Sequence, residues 1–118
     1  MVLDRSNSDF ATIVPRIERF GKTAGLSSRM LRNVSLSFEE LVFQGILPTQ
    51  REQSLDLPVD VLIEHAEADD AVSMRLAWDG PRFNPLDEGD ELSVAIVTHL
   101  TRQVHYSYEE GNALKLTF

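Results

Sequence analysis

Two neighbouring stretches in the second half of the chain alternate between apolar and polar residues with a period of two. In the first stretch the positions on one side are Val59, Val61, Ile63 and His65, three apolar residues and a histidine. In the second stretch they are Val72, Met74, Leu76 and Trp78. Because successive side chains of a strand point to opposite faces of a sheet, this pattern predicts two strands, each with one apolar face. Asp69 and Asp70 predict the turn between them. An antiparallel hairpin of this kind needs other elements to cover its apolar face, and this requirement constrains the fold most.

The first 25 residues predict one amphipathic helix. Residues 1–9 are mostly polar and predict at most a short edge strand. Apolar residues then recur at helical spacing over residues 13–24, and Gly25 suits the C-terminal cap. Pro15 is compatible with this helix only in its first turn.

A second, longer helix follows. Ser27 or Ser28 can cap its N-terminus, and Pro48 is predicted to stop it after about Leu47. The helix carries one apolar stripe on each of two roughly opposite sides: Leu31, Val34, Phe38, Leu41 and Val42 on one, and Leu36, Phe43 and Leu47 on the other. Such a helix is packed on two sides, or packed on one side and lining a pocket with the other. Residues 48–58 predict a polar loop.

The remainder of the chain predicts a loop, a helix and a last hairpin. Gly80 and two prolines break the periodicity in a loop of the kind where α+β folds often place a ligand or a partner. Leu92–Leu100 is apolar nearly all round, which predicts a short buried helix. Residues 104–108 and 114–118 then pair across residues 109–112, whose glycine and asparagine tolerate the positive φ of a tight turn. The sum predicts an α+β fold, a two-layer α/β sandwich with helices on one face of a mostly antiparallel mixed sheet.

Length, composition and charge limit the number of domains, the possible chemistry and the possible partners. At 118 residues with 42% hydrophobic residues, the chain predicts a single domain over residues 1–118. The chain has no cysteine, so disulfides, thiolate metal sites and thiol nucleophiles are excluded. A net charge of −8 disfavours nucleic acid and anionic lipid as partners. The apolar runs are far shorter than the about 20 residues of a membrane span, so no membrane contact and a cytoplasmic location are expected.

Three short motifs follow one another along the chain: LSFEELVFQ at 36–44, DGPRFNP at 79–85 and VTHLTRQVHY at 97–106. In this order and spacing they resemble the histidine-kinase-like ATPase (GHKL) superfamily. The nearest branch looks like the bacterial anti-sigma-factor serine kinases, and the similarity covers nearly the whole chain. The resemblance implies a Bergerat-type ATPase fold, a homodimer, and a sigma factor or an anti-sigma antagonist as partner.

The resemblance assigns roles to two residues of the second helix. In the family this helix carries Glu-x-x-x-Asn, whose Glu acts as a base and whose Asn oxygen holds a magnesium ion between phosphates. The matching positions here are Glu40 and Gln44. Gln44 is one methylene longer than Asn, and magnesium requires near-ideal octahedral geometry, so the metal site is expected to be lost. The histidine that commonly follows in the family is replaced within Gly45–Pro48.

The second family motif is Asp-x-Gly-x-Gly, whose Asp accepts the adenine amino group. Trp78 stands at the Asp position, Asp79 in the variable position, Gly80 at the first glycine and Arg82 at the second. An indole at residue 78 removes the hydrogen-bond acceptor and fills volume that adenine needs. Trp78 therefore has three interpretations: it fills the former pocket, it forms part of a partner surface, or it belongs to the core.

The third family motif is a glycine-rich sequence that opens the last helix beside the phosphates. Here it reads ELSV at 91–94, without glycine, and four carboxylates surround the place of the polyphosphate: Asp87, Glu88, Asp90 and Glu91. Carboxylates at about 4 Å from the phosphates of ATP would repel them and oppose binding. The acidic run is a candidate cation site, but such runs are usually solvated loops. The three histidines, His65, His99 and His105, lack the spacing of metal ligands, so no metal is expected.

Three functions follow as hypotheses. The first is a regulator resembling an anti-sigma factor, which binds a protein partner and has lost or weakened ATP binding, without a cofactor. The second is an active ATP- and Mg2+-dependent serine/threonine kinase that uses Glu40 as its base. The third is an interaction domain that binds another small ligand in the reshaped cleft. The missing glycines at 91–94 and the tryptophan at residue 78 favour the first over the second. The degenerate pocket positions that the resemblance implies are Gln44, Trp78, Asp79 and Gly80.

Overall fold

A five-stranded sheet forms one layer of the fold in the computed structural model, which describes residues 2–3, 10–68 and 71–118. Its strands are β1 (Val2–Leu3), β2 (Val59–Ala66), β3 (Ala71–Trp78), β4 (Gln103–Tyr108) and β5 (Asn112–Thr117). The strand order is β1-β2-β3-β5-β4, and each of these neighbours pairs antiparallel. The α+β class with an antiparallel sheet is confirmed. No parallel pair occurs within the described residues, so the sheet is antiparallel there rather than mixed.

The alternation of the central hairpin has the predicted effect on burial. Val61 faces Leu76 across the β2–β3 pair, and both are buried, whereas the flanking Asp60 and Arg75 are exposed. The helix-facing side of the sheet is therefore apolar, and the other side is polar and uncovered by the described residues. The predicted turn at 69–70 lies outside the described residues.

The predicted C-terminal hairpin is also present. Val104 faces Leu116 and Tyr106 faces Leu114. Gly111 has a φ of +152° and serves as the turn glycine, as expected. Asn112, which was assigned to the turn, is instead the first residue of β5 and is buried.

The first helix, α1, spans Phe10–Ala24 and buries Ile13 and Ile17. Gly25 has a φ of +73° and ends the helix, as predicted, while the Leu26 N–H donates to the Gly21 carbonyl at 2.9 Å. Pro15 lies inside the helix rather than only in its first turn. The side chain of Pro15 is exposed, so its ring does not disturb the core.

The second helix extends further than predicted. It consists of α2 (Ser28–Phe38), a π-helical segment (Glu39–Ile46) and α3 (Leu47–Glu52). Ser27 caps it by accepting a hydrogen bond from the Met30 N–H at 3.1 Å. The predicted end at Leu47 is wrong, because Ile46 and Leu47 keep helical backbone angles and the chain continues through Pro48 into α3. The predicted loop at 48–58 is thereby reduced to residues 53–58.

Two further helices follow the central hairpin, the short α4 (Pro85–Glu88) and α5 (Glu91–Leu100). The expectation that α5 is buried is wrong, since Val97 is its only fully buried residue and Leu92 is 68% exposed. The α5 helix packs against α2 and the π-helical segment on one side only. Among the described residues, no helix has both the length and the apolar character to cross a bilayer.

Candidate functional site

Glu40 and Gln44 lie on the π-helical segment opposite the start of α5. The Glu40 carboxylate accepts a hydrogen bond from the Ser93 hydroxyl. Together with Gly89 and Asp90, these three residues line a void of about 10 Å³. A void of roughly 10–15 Å³ holds one water molecule at most. The region that the resemblance assigns to magnesium and phosphates is therefore filled by contact between two helices.

A carboxylate of the chain itself lies at the N-terminus of α5. Asp90 is the cap residue, and its carboxylate accepts a hydrogen bond from the Ser93 N–H at 3.1 Å. The free N–H groups at a helix N-terminus are what phosphate ligands use. Here the side-chain carboxylate of Asp90 takes one of them.

The acidic run before α5 stabilises its own loop. The Glu88 carboxylate accepts from the Asn84 N–H at 2.8 Å, and the Asp87 carboxylate accepts from the Asn84 side-chain amide at 3.2 Å. Asn84 in turn caps α4 by accepting from the Leu86 N–H at 3.0 Å. These contacts give Asp87 and Glu88 a structural role. No group of three or more His, Asp or Glu residues that could hold a metal ion is found within 2–3, 10–68 and 71–118.

Trp78 is a core residue. Its side chain is 5% exposed and packs in the cluster between the helices and the sheet. This burial argues against an exposed partner surface, and it agrees with a core position as well as with a side chain that fills a former pocket. Trp78 and Asp79 line a cleft of about 470 Å³, whereas Glu40 and Gln44 line the small void beside α5. The structure therefore does not bring the predicted site residues into one cavity.

Gly80 shapes the turn after β3. Its φ is +102°, and a Cβ at this position would lie 2.8 Å from the Leu57 Cδ1 atom. Its carbonyl accepts a hydrogen bond from the Tyr108 hydroxyl at 3.1 Å. The backbone conformation favours glycine here, and a larger residue would in addition have to displace the end of the Leu57 side chain.

Asn112 holds the loop after β3 in place, and the sequence did not single it out. Its side-chain oxygen accepts hydrogen bonds from the Phe83 N–H at 2.8 Å and from the Tyr106 hydroxyl. Its amide donates to the carbonyls of Pro81 at 3.1 Å and Trp78 at 3.4 Å. The position beside a turn glycine had suggested a turn residue, and no local signal distinguishes such an asparagine from a buried one.

Tyr106 belongs to the same network. Burial raises the pKa of the Tyr106 phenol, while the backbone of Phe83 and the positive charge of Arg82 oppose this rise less strongly. The Arg82 guanidinium carbon lies 5.7 Å from the centre of the Tyr106 ring, within reach of a cation–π interaction. Arg82 is thus placed against the last hairpin.

Comparison with known proteins does not assign the chain to a family. No family model matches the chain, and no curated protein matches it.

Proposed function

We propose that this chain is a regulatory protein resembling an anti-sigma factor, with a GHKL-like fold, which acts by binding a protein partner without ATP turnover. The observation that carries the proposal is the Glu40–Ser93 hydrogen bond beside a void of about 10 Å³. In the resembling family the same region holds magnesium and a triphosphate.

Nucleotide chemistry is disfavoured by the same contacts. An active serine kinase would need the Glu40 carboxylate free to accept a proton from a substrate hydroxyl, and room beside it for phosphate. Glu40 is instead paired with Ser93, and Asp90 caps the helix where phosphate would bind. A magnesium-bound ATP does not fit these residues.

The exposed side of α5 is the proposed contact surface. Leu92 is 68% exposed and Ala95 is also exposed, although the helix is apolar nearly all round. Exposed apolar helix surface of this kind is often covered by a protein partner. By resemblance the partner is a sigma factor, with an anti-sigma antagonist as the alternative, and the working unit is a homodimer.

Co-purification from a bacterial extract tests the proposal. The tagged chain is expected to retain a sigma factor or an anti-sigma antagonist, identified by mass spectrometry. Leu92→Glu is expected to lower the recovery about tenfold or more, since it places a charge in an apolar contact. Leu62→Glu is the matched control, because Leu62 is 51% exposed on the uncovered sheet face. Recovery of neither class of partner by the unmodified chain contradicts the proposal, and equal loss in both variants excludes α5 as the surface.

A further inference from the structure

Three basic residues form a row across the uncovered face of the sheet. In the antiparallel register, Arg75 of β3 lies directly opposite Lys115 of β5, which lies directly opposite His105 of β4. All three are exposed. Residues that face each other on neighbouring strands have Cβ atoms about 5 Å apart, so the three side chains emerge side by side.

This arrangement costs stability unless something compensates it. Like charges directly opposite each other on adjacent strands are destabilising. The chain has 19 acidic and only 11 basic residues, so carboxylate partners are abundant in its composition. Nevertheless, in the part of the chain that the structure describes, the side chains of Arg75, Lys115 and His105 form neither an ion pair nor a hydrogen bond.

The row lines a cleft of about 290 Å³. The hydroxyl-bearing residues Ser73 and Ser107 also line it, and the small side chain of Ala113 leaves space between the longer ones. This volume is close to the lower end of the roughly 300–1,000 Å³ typical of small-molecule sites.

Acidic charge is concentrated in the adjoining cleft. Glu64 contributes a carboxylate to the basic cleft, whereas the neighbouring cleft of about 470 Å³ is lined by Asp60, Asp79, Glu109 and Glu110. Arg75 lines both clefts. The two signs of charge are therefore largely separated along one face of the sheet.

We propose that the basic cleft binds a small oxyanion, namely a small molecule carrying a phosphate or carboxylate group. Arg75 offers the planar donor geometry that such groups accept, and Lys115 adds a second positive charge. The hydroxyls of Ser73 and Ser107 are additional donors. This inference goes beyond the proposed partner binding and does not depend on it, because the cleft lies on the sheet face opposite to the buried core and the helices.

NMR titration of the 15N-labelled chain tests the site directly. Sodium phosphate and sodium succinate serve as the two probes, with sodium chloride at matched ionic strength as the reference. Saturable shifts are expected for the amides around Arg75, Lys115 and His105, and the tighter of the two probes identifies the phosphate or the carboxylate source. Absence of such shifts with both probes would overturn the proposal.

Variants distinguish binding at the basic cleft from nonspecific attraction of anions to positive charges elsewhere on the surface. Arg75→Gln and Lys115→Gln are each expected to weaken oxyanion binding about tenfold, the effect of losing one charge-assisted hydrogen bond. Lys22→Gln is the matched control, because Lys22 is exposed on α1. The dispersion of each variant's spectrum verifies that it is folded. Equal weakening by Lys22→Gln and Lys115→Gln would also overturn the proposal.

Discussion

The carboxylate of Glu40 on the π-helical segment accepts a hydrogen bond from the hydroxyl of Ser93 on α5. This hydrogen bond joins the π-helical segment to α5. Glu40 is half-buried, and it lies on a π-helical segment, a local geometry that is frequent at functional sites.

This contact predicts a coupling between the two residues. Ser93→Ala is expected to lower the free energy of unfolding by about 1 kcal/mol, the usual net value of one hydrogen bond. In a double-mutant cycle with Glu40→Ala, urea unfolding should give a coupling energy of about 0.5–1.5 kcal/mol. Strictly additive effects would show that the hydrogen bond does not contribute to stability.

The Asn112 network predicts a large effect from a single amide. Asn112→Ala leaves the Phe83 N–H, the Tyr106 hydroxyl and the Pro81 carbonyl without this partner, at a position that is 2% exposed. We expect a loss of about 2–4 kcal/mol in chemical denaturation, because each unsatisfied buried group costs roughly 1–3 kcal/mol. Asn33→Ala, on the half-buried surface of α2, is the control and should change stability by less than about 0.5 kcal/mol. Similar values for the two variants would contradict the role assigned to the network.

The turn after β3 predicts a difference between two glycines. Gly80→Ala should destabilise the fold more than Gly25→Ala, although both have positive φ. An added methyl group at residue 80 meets the Leu57 Cδ1 atom at 2.8 Å, whereas nothing lies within 4 Å at residue 25. In each variant an alanine at positive φ costs roughly 1 kcal/mol, and Gly80→Ala must in addition displace the end of the Leu57 side chain, which is a smaller cost because that methyl group can move. Thermal unfolding measures the difference, which should shrink in a Leu57→Ala background; a difference that persists unchanged there would exclude the steric explanation.

The raised pKa of Tyr106 predicts a pH effect with a definite sign. Because burial raises this pKa above the unfolded value of about 10, the folded chain keeps the phenolic proton to higher pH than the unfolded chain. The corresponding stability is fully present below about pH 10 and is lost as the pH rises through the folded pKa. The chain has two tyrosines, so Tyr108→Phe leaves Tyr106 as the only phenol for ultraviolet titration. A midpoint at or below that of free tyrosine amide would contradict the prediction.

The sheet was more predictable than the helices because its signal is repeated. The alternation of apolar and polar residues along β2 and β3 fixes which side chains face the helices. Because the two strands pair with each other, the pattern of one strand agrees with that of the other. The extent of the second helix could not be predicted, because the change to π-helical geometry before Pro48 has no local signature. The exposure of Leu92 depends on which side of α5 meets its neighbours, and an almost uniformly apolar helix does not encode that choice.

The candidate sites were predicted only in part. Glu40 was found from its motif position, whereas its partner Ser93 is distant in sequence. The row of Arg75, Lys115 and His105 depends on the alignment of three strands, and along the chain α4 and α5 separate β3 from the other two. Pairings of this kind are set by tertiary packing and cannot be found from residue spacing along the chain.

Calorimetric titration with magnesium-ATP, run beside magnesium-tripolyphosphate, tests the central claim most directly. Tripolyphosphate controls for oxyanion binding at the basic cleft, since it lacks the adenosine group. The Glu40–Ser93 contact and the void of about 10 Å³ predict that ATP gives no binding signal beyond that of tripolyphosphate. Specific ATP binding at 100 times its dissociation constant would instead stabilise the fold by about 2.7 kcal/mol, which thermal unfolding would also detect. An ATP-specific, saturable signal would contradict the account of a regulator without a nucleotide site.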